Sequence, residues 1–136
     1  MITPEQYFGD KPHSEEQAEC ATNLLYRVNA LIVEACAAGS FTECLDPDTD
    51  TQISGAKNGA GDGGFRLPTS TTGSAQSSHK EAKAVDVFDP VGRLDAWLTD
   101  EILEKYGLYR ESPLATVGWT HLTTRSPHSG KRTFQP

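Results

Sequence analysis

The chain has 136 residues, a net charge of −7 and 36% hydrophobic residues. This length predicts a single domain over residues 1–136, and the 12 glycines and 8 prolines indicate a modest core with long loops. The acidic balance argues against a nucleic-acid binder and against attachment to anionic membranes by charge, because both depend on Lys and Arg.

The N-terminus and the cysteines bear on the cellular compartment. Residues 1–12 lack the basic and apolar stretches of a secretory signal, and no apolar run approaches the roughly 20 residues of a membrane span. We therefore expect the protein to stay in the cytoplasm, without stable membrane association, unless something else releases it. We also expect it to be a monomer. Cys20 and Cys36 fit a helical pattern as small buried side chains, and a reducing compartment disfavours a disulfide between Cys36 and Cys44.

Two helix starts lie near the N-terminus. Thr3-Pro4-Glu5-Gln6 predicts a short helix with Thr3 as its N-cap. Ser14-Glu15-Glu16-Gln17 forms a capping box, and apolar residues then recur every three or four positions as far as Ala35. This pattern predicts a scaffold helix that runs to about Ala38 and ends at Gly39.

The next segment shows no periodicity and is rich in Gly and Asp. Asp46, Asp48 and Asp50 have the spacing of a calcium loop, but Thr51 and Lys57 stand where that loop needs Gly and Glu. A solvated loop or insertion over residues 46–63 is the better interpretation. It could also be a lid over a cleft.

The second half of the chain predicts strands around another helix. Residues 84–88 alternate as a strand, and Asp89 is a plausible N-cap for a helix that carries Trp97 on its apolar side and ends at Gly107. Residues 108–110 form a short extended piece, and residues 117–123 form the last strand. This order predicts an α+β domain with helices on one side of a small antiparallel sheet.

Three residues in this half form a candidate metal site. His79 precedes Asp86 by seven residues, so a loop must separate them if both side chains are to meet. On the last strand, His121 shares a face with Trp119. Two imidazoles and one carboxylate with a fourth position open are typical of a catalytic zinc site. From the spacing alone, an ordinary surface His–Asp pair remains the simpler interpretation.

The motifs around these residues resemble a known family. Ser77-x-His79, Ala84-x-Asp86 and Trp119-Thr120-His121 resemble the SxHxxGxAxD…WxH signature of peptidase family M15, the zinc D,D-peptidases and phage endolysins with a Hedgehog-like fold. Residues 64–68 resemble the upstream GxR element of that family. Four further stretches resemble small phage-encoded members of the family: residues 7–8, 28–31, 118–122 and 129–136. The resemblance therefore covers nearly the whole chain outside the insertion.

The resemblance implies an activity and roles for residues. It implies that His79, Asp86 and His121 bind Zn2+ and that Arg66 holds a substrate carbonyl or carboxylate. Ser77 would orient the ligand loop, and Trp119 would line the cleft unless it packs as an ordinary strand aromatic. The implied reaction is hydrolysis of a peptide bond in peptidoglycan by a bacteriophage lysis protein or virion-associated enzyme that reaches the cell wall after release. Endopeptidase and D,D-carboxypeptidase action both stay open.

Two positions depart from the family pattern. Ala82 replaces a glycine, so the ligand loop is expected to turn differently, and Gly118 replaces an acid found in many members. Glu111 is our candidate general base, because Tyr109-Arg110-Glu111-Ser112 resembles a Tyr-x-Glu-Ser stretch of the Hedgehog domain. Glu81 is the weaker alternative.

The missing acid also supports a rival interpretation. A chain without the usual carboxylate could be a catalytically inactive zinc-binding module with a structural or wall-binding role. The remaining histidines, His13 and His128, lie near the chain ends and are expected to be solvated rather than metal ligands.

Overall fold

The structure is a computed structural model that describes residues 1–55, 63–74 and 76–136. It confirms an α+β architecture. The helices are α1 (Pro4–Phe8), α2 (Glu15–Ala37), α3 (Arg93–Trp97) and α4 (Asp100–Tyr106), with a 3₁₀ turn at Ser78–Glu81. The strands are β1 (Ala84–Phe88), β2 (Tyr109–Glu111), β3 (Trp119–Thr123) and β4 (Thr133–Phe134).

Helix α2 is the scaffold that the sequence predicts. The Ser14 hydroxyl accepts a hydrogen bond from the Gln17 backbone N–H, and the Gln17 side chain accepts one from the Ser14 N–H. The helix ends at Ala37, followed by Gly39 with φ 73°. One stripe of side chains is buried against the rest of the protein: Ala21, Leu24, Leu25, Val28, Leu31, Ile32 and Ala35. Each buried Leu or Ile contributes about 1.5–3 kcal/mol, so tertiary packing stabilises this helix more than propensity does.

The four strands form one mixed sheet in the order β1-β3-β2-β4. Strands β1 and β2 each run antiparallel to β3, but β4 runs parallel to β2. The prediction of an all-antiparallel sheet is therefore wrong at this edge. The chain reverses its direction after β3, so β4 runs opposite to β3. Because β2 also runs opposite to β3, β4 and β2 point the same way where they pair.

The two faces of the sheet have different environments. Val85, Val87 and Leu122 point into the hydrophobic core that includes the buried stripe of α2. Because strand side chains alternate, Asp86 and His121 point to the opposite face. The helices thus cover one side of the sheet and leave the other for polar side chains.

The single helix predicted after Asp89 is wrong, because the chain forms two helices, α3 and α4. Leu98 is extended, with φ −67° and ψ 134°, and the Thr99 hydroxyl caps α4 by accepting a hydrogen bond from the Ile102 N–H. Because Leu98 is extended and Thr99 begins a new helix, the predicted single helix is divided into α3 and α4. The prediction of Asp89 as the N-cap is wrong, because Gly92 occupies that position, but the Asp89 carboxylate still accepts hydrogen bonds from the Leu94 and Asp95 N–H groups at the start of α3. Trp97 is half-buried against the core.

The described part of the 46–63 insertion is not the solvated loop that its composition predicts. Ile53, only 4% exposed, forms a bridge with Val87, and the Phe88 and Ser54 N–H groups bond to Gln52 O and Asp86 O. The free edge of β1 needs hydrogen-bond partners, and this segment supplies them. Asp46 is buried and accepts a hydrogen bond from the Asp48 N–H, as in an Asx turn. Lys57 lies outside the described residues.

Two of the three cysteines are less buried than their sequence pattern predicts. Cys20, Cys36 and Cys44 are free thiols and half-buried, rather than fully buried as expected for the first two. Within the residues that the structure describes, no helix combines the length and apolar character needed to cross a membrane.

Candidate metal centre

Three segments bring His79, Asp86 and His121 together. His79 lies in the 3₁₀ turn, Asp86 at the centre of β1, and His121 at the centre of β3. The antiparallel register places Asp86 directly opposite His121. All three side chains are buried, and within residues 1–55, 63–74 and 76–136 they are the one His, Cys, Asp or Glu group arranged to hold a metal ion.

The three potential ligand atoms form a compact triangle. His79 Nε2 lies 3.3 Å from His121 Nδ1 and 3.3 Å from Asp86 Oδ1. His121 Nδ1 lies 2.8 Å from Asp86 Oδ1. A tetrahedral ion held by bonds of about 2.0–2.2 Å separates its ligand atoms by about 3.3–3.6 Å. Two sides of the triangle already lie at the short end of this range, and the third, between His121 Nδ1 and Asp86 Oδ1, must open by about half an ångström.

A backbone carbonyl orients the His79 ring. His79 Nδ1 lies 2.8 Å from Gly64 O, a distance at which Nδ1–H donates to the carbonyl. That bond directs Nε2 towards Asp86 and His121, where it carries a proton in the charged metal-free form and offers a lone pair to an ion once that proton is released. Such contacts behind a ligating histidine fix its tautomer and direction.

The carboxylate of Asp86 is ionised despite its burial. Burial alone would raise the pKa of Asp86, but the charge of His79 and the hydrogen bond from His121 outweigh it and hold the pKa below its usual value. Arg66 Nη2 also lies 3.5 Å from Asp86 Oδ2. The carboxylate therefore presents Oδ1 to the histidines and Oδ2 to the guanidinium.

Arg66 and Ser77 lie beside the triad of His79, Asp86 and His121. Arg66 Nη1 lies 3.4 Å from Ser77 Oγ, and the same hydroxyl accepts a hydrogen bond from the His79 backbone N–H at 3.3 Å. One serine thus contacts both the arginine and the start of the ligand turn. Arg66 is held between Asp86 and Ser77 with its side chain 11% exposed.

Ala82 occupies the position at which the motif that the sequence resembles has glycine. It adopts the left-handed conformation, with φ 58° and ψ 35°. This conformation favours glycine, so Ala82 stands at a position where a glycine would be unstrained. The Ala82 methyl is fully buried in the core, which offsets part of the strain of about 1–2 kcal/mol.

Glu111 lies next to His121 across the sheet. Arg110 pairs with Leu122, so the next residue of β2 faces the same side as His121. On its other side Glu111 pairs with Phe134 of β4, whose ring packs edge-on against His121 with centroids 6.2 Å apart. Sequence reasoning misses Phe134, because a two-residue strand carries no periodicity.

A cavity of about 990 Å³ opens over this face of the sheet. Its described lining includes the triad together with Arg66, Ser77, Glu111, Trp119 and His128. His128 is exposed, as expected. Glu81 is absent from this lining and bonds instead to Arg125.

Two other positions that the sequence singles out lie elsewhere. Gly118 has φ 99°, which favours glycine, and lines a separate cavity with Val91 and Pro113. His13 is exposed and stacks on Phe8, with ring centroids 3.6 Å apart. Neither position contributes to the metal centre.

Comparison with known proteins identifies no relative. No protein-family profile, curated protein or solved structure matches this chain. The geometry of the buried His-Asp-His group and its surroundings is therefore the basis for assigning a function.

Proposed function

We propose that this protein is a zinc metallopeptidase of the M15 type, with a Hedgehog-like fold, that hydrolyses a peptide bond in peptidoglycan stem peptides. One observation carries the proposal. The His79–Asp86–His121 group faces a cavity that also holds an arginine, Arg66, and a carboxylate, Glu111. A metal site that is closed on the protein side and open to a substrate cavity is typical of catalytic zinc.

The ligand set supports zinc over calcium or magnesium. Those two ions prefer oxygen ligands, whereas two imidazoles and one carboxylate suit zinc or another transition metal. The same set also serves ferrous iron in some oxygenases. We propose zinc because the motifs around His79, Asp86 and His121 resemble those of zinc peptidases.

Arg66 would bind the substrate. When bound, zinc lowers the pKa of a coordinated water and polarises the carbonyl of the bond to be cut. Arg66 lies 3.5 Å from Asp86 Oδ2 and lines the cavity, so its guanidinium can donate to a substrate carbonyl or carboxylate oxygen beside the ligands. This contact orients the peptide and stabilises negative charge on that oxygen.

Glu111 would move the proton. Its carboxylate accepts a proton from the attacking water while the water oxygen bonds to the carbonyl carbon. Glu111 then gives that proton to the amide nitrogen as the C–N bond breaks, so that the products are a carboxylic acid and an amine. The position of Glu111 beside His121 on the cavity face supports this role.

The rival proposal is a zinc-binding module without catalysis. It is favoured by Gly118, which replaces an acid of the related family and lines a different cavity. If Glu111 does not replace that acid, the protein would bind metal and peptide without cleaving it.

A single substitution separates the two proposals. Glu111→Gln should reduce hydrolysis of purified peptidoglycan by about a hundredfold or more, while the zinc content stays unchanged. Glu19→Gln, an exposed glutamate of α2, is the matched control and should keep full activity. A zinc-loaded wild type that releases no fragments would overturn the peptidase proposal, and full activity of the Glu111 variant would overturn the role of that residue.

The biological setting is proposed on the same basis. Resemblance to small phage-encoded proteins suggests an endolysin-like hydrolase that is made in the cytoplasm and acts as a monomer on the cell wall after release. Mass spectrometry of the digested wall would identify the bond that is cut.

A further inference from the structure

The charge of this acidic chain is unevenly distributed along its sequence. The chain has 19 acidic residues against 12 Lys and Arg, yet no acidic residue follows Glu111. The β3–β4 loop, residues 124–132, instead carries Arg125, His128, Lys131 and Arg132. This segment therefore carries a local excess of positive charge although the whole chain has a net charge of −7.

Part of this basic loop forms a wall of the cavity over the metal centre. Arg125, His128 and Lys131 line it, whereas its acidic lining residues are Asp86 and Glu111. Asp86 already contacts Arg66 and both histidines. The positive charge of the loop therefore faces the cavity without an equal number of free carboxylates.

The loop side chains differ in how firmly they are held. Arg125 Nη1 donates to Gln76 O at 2.9 Å and lies 3.3 Å from Glu81 Oε2, which fixes the guanidinium but neutralises part of its charge. Lys131 is exposed on the cavity wall. Lys131 therefore offers the more available cation, and Arg125 offers a preorganised one.

The groove continues beyond Arg125. A second cavity of about 520 Å³ shares Arg125, Pro127 and His128 with the first, and Lys80 and Glu81 also line it. The two spaces together can hold a peptide of several residues rather than a single terminal amino acid. A substrate that reaches from the metal centre to the loop would place one of its groups against Arg125 and Lys131.

We propose that Arg125 and Lys131 form an anion subsite that binds a carboxylate of an acidic peptide, away from the bond that is hydrolysed. This inference rests on the proposed function for its substrate, but it concerns binding rather than the chemical step. It favours internal cleavage of a longer acidic peptide over removal of one terminal residue.

The test compares two peptides that differ only in charge. A synthetic acidic tetrapeptide and the same peptide with its carboxylates amidated are titrated calorimetrically into the zinc-loaded full chain carrying Glu111→Gln, which preserves the peptide. The acidic peptide should bind about tenfold more tightly at low salt, and the preference should shrink as ionic strength rises. Equal affinity for the two peptides would overturn the subsite.

A second substitution assigns the preference to the loop. Lys131→Ala should reduce the carboxylate preference to about threefold or less. Lys105→Ala is the matched control, because Lys105 pairs with Glu34 away from the cavity lining and should leave the preference unchanged. An unchanged preference in the Lys131 variant would contradict the assignment.

Two further arms distinguish the outcomes. One series uses a peptidoglycan stem peptide and the other uses an all-L acidic peptide, so that their comparison identifies the source of the carboxylate. A carboxylate preference in either series supports the subsite. If wild type shows the preference but hydrolyses nothing, the subsite stands and the peptidase proposal fails. If the protein hydrolyses peptidoglycan but shows no carboxylate preference, the peptidase proposal stands and the subsite fails.

Discussion

His79 Nδ1 lies 2.8 Å from the carbonyl oxygen of Gly64, fifteen residues earlier in the chain. This contact turns the Nε2 atom of His79 towards Asp86 and His121. The segment that provides the carbonyl is itself held by α1, because the Phe65 N–H donates to Tyr7 O at 3.0 Å. The N-terminal helix thus supports the candidate metal centre through one short piece of backbone.

Gly64→Ala should weaken metal binding. A Cβ at Gly64 would lie 2.5 Å from Tyr7 O, so the segment must shift and move the carbonyl that orients His79. Loss of such a contact typically lowers metal affinity by about 10–100-fold. Competition with a chromophoric chelator measures the change. Thermal unfolding of the metal-free chain shows whether the fold survives, and unaltered affinity in a folded variant would contradict the role of Gly64.

Asp89→Ala should destabilise the fold without removing the metal. The buried carboxylate accepts hydrogen bonds from two N–H groups of α3 and from the Thr120 hydroxyl at 3.1 Å. Losing this carboxylate and leaving its donors unpaired should lower the free energy of unfolding by about 2–4 kcal/mol in urea denaturation. Thr99→Ala, which removes the more exposed cap of α4, is the comparison and should cost about 1 kcal/mol. Equal effects would argue against a buried network at Asp89.

The stability of the metal-free chain should depend on pH through Asp95. Burial raises the pKa of Asp95 from 3.8 to about 6 despite the nearby charge of Arg110. Because the folded pKa exceeds the unfolded one, this contribution is complete below about pH 4 and is lost as the pH rises through about 6. Asp95→Asn should therefore gain stability relative to wild type as the pH rises between these values. Urea denaturation across this range measures the difference, and parallel curves would refute the shift.

Much of the scaffold and of the ligand set can be predicted from local sequence patterns. The stripe from Ala18 to Ala35 and its capping box predict α2, because helix periodicity and capping are local properties. Alternation predicts β1, and the motifs around His79, Asp86 and His121 predict a shared site. The structure brings Asp86 and His121 together through the pairing of β1 with β3, and the 3₁₀ turn before β1 adds His79.

Other features depend on contacts that no local pattern contains. Gly64 acts through a carbonyl oxygen, which every residue has, so its side chain gives no signal. Phe134 reaches His121 only because β4 pairs with β2, and a two-residue strand has no measurable alternation. The Gly and Asp content of the insertion predicts a solvated loop, yet its backbone pairs with the open edge of β1. Long-range backbone pairing decides each of these cases.

The most direct test of the account is the metal content of the full chain. After loading with zinc and removal of excess ion, elemental analysis should find about one zinc per wild-type chain and almost none in His121→Ala. His128→Ala, an exposed histidine that lines the same cavity, should retain the metal and serves as the matched control. A wild-type chain that retains no metal, or a His121 variant that retains a full equivalent, would contradict a metal centre at His79, Asp86 and His121.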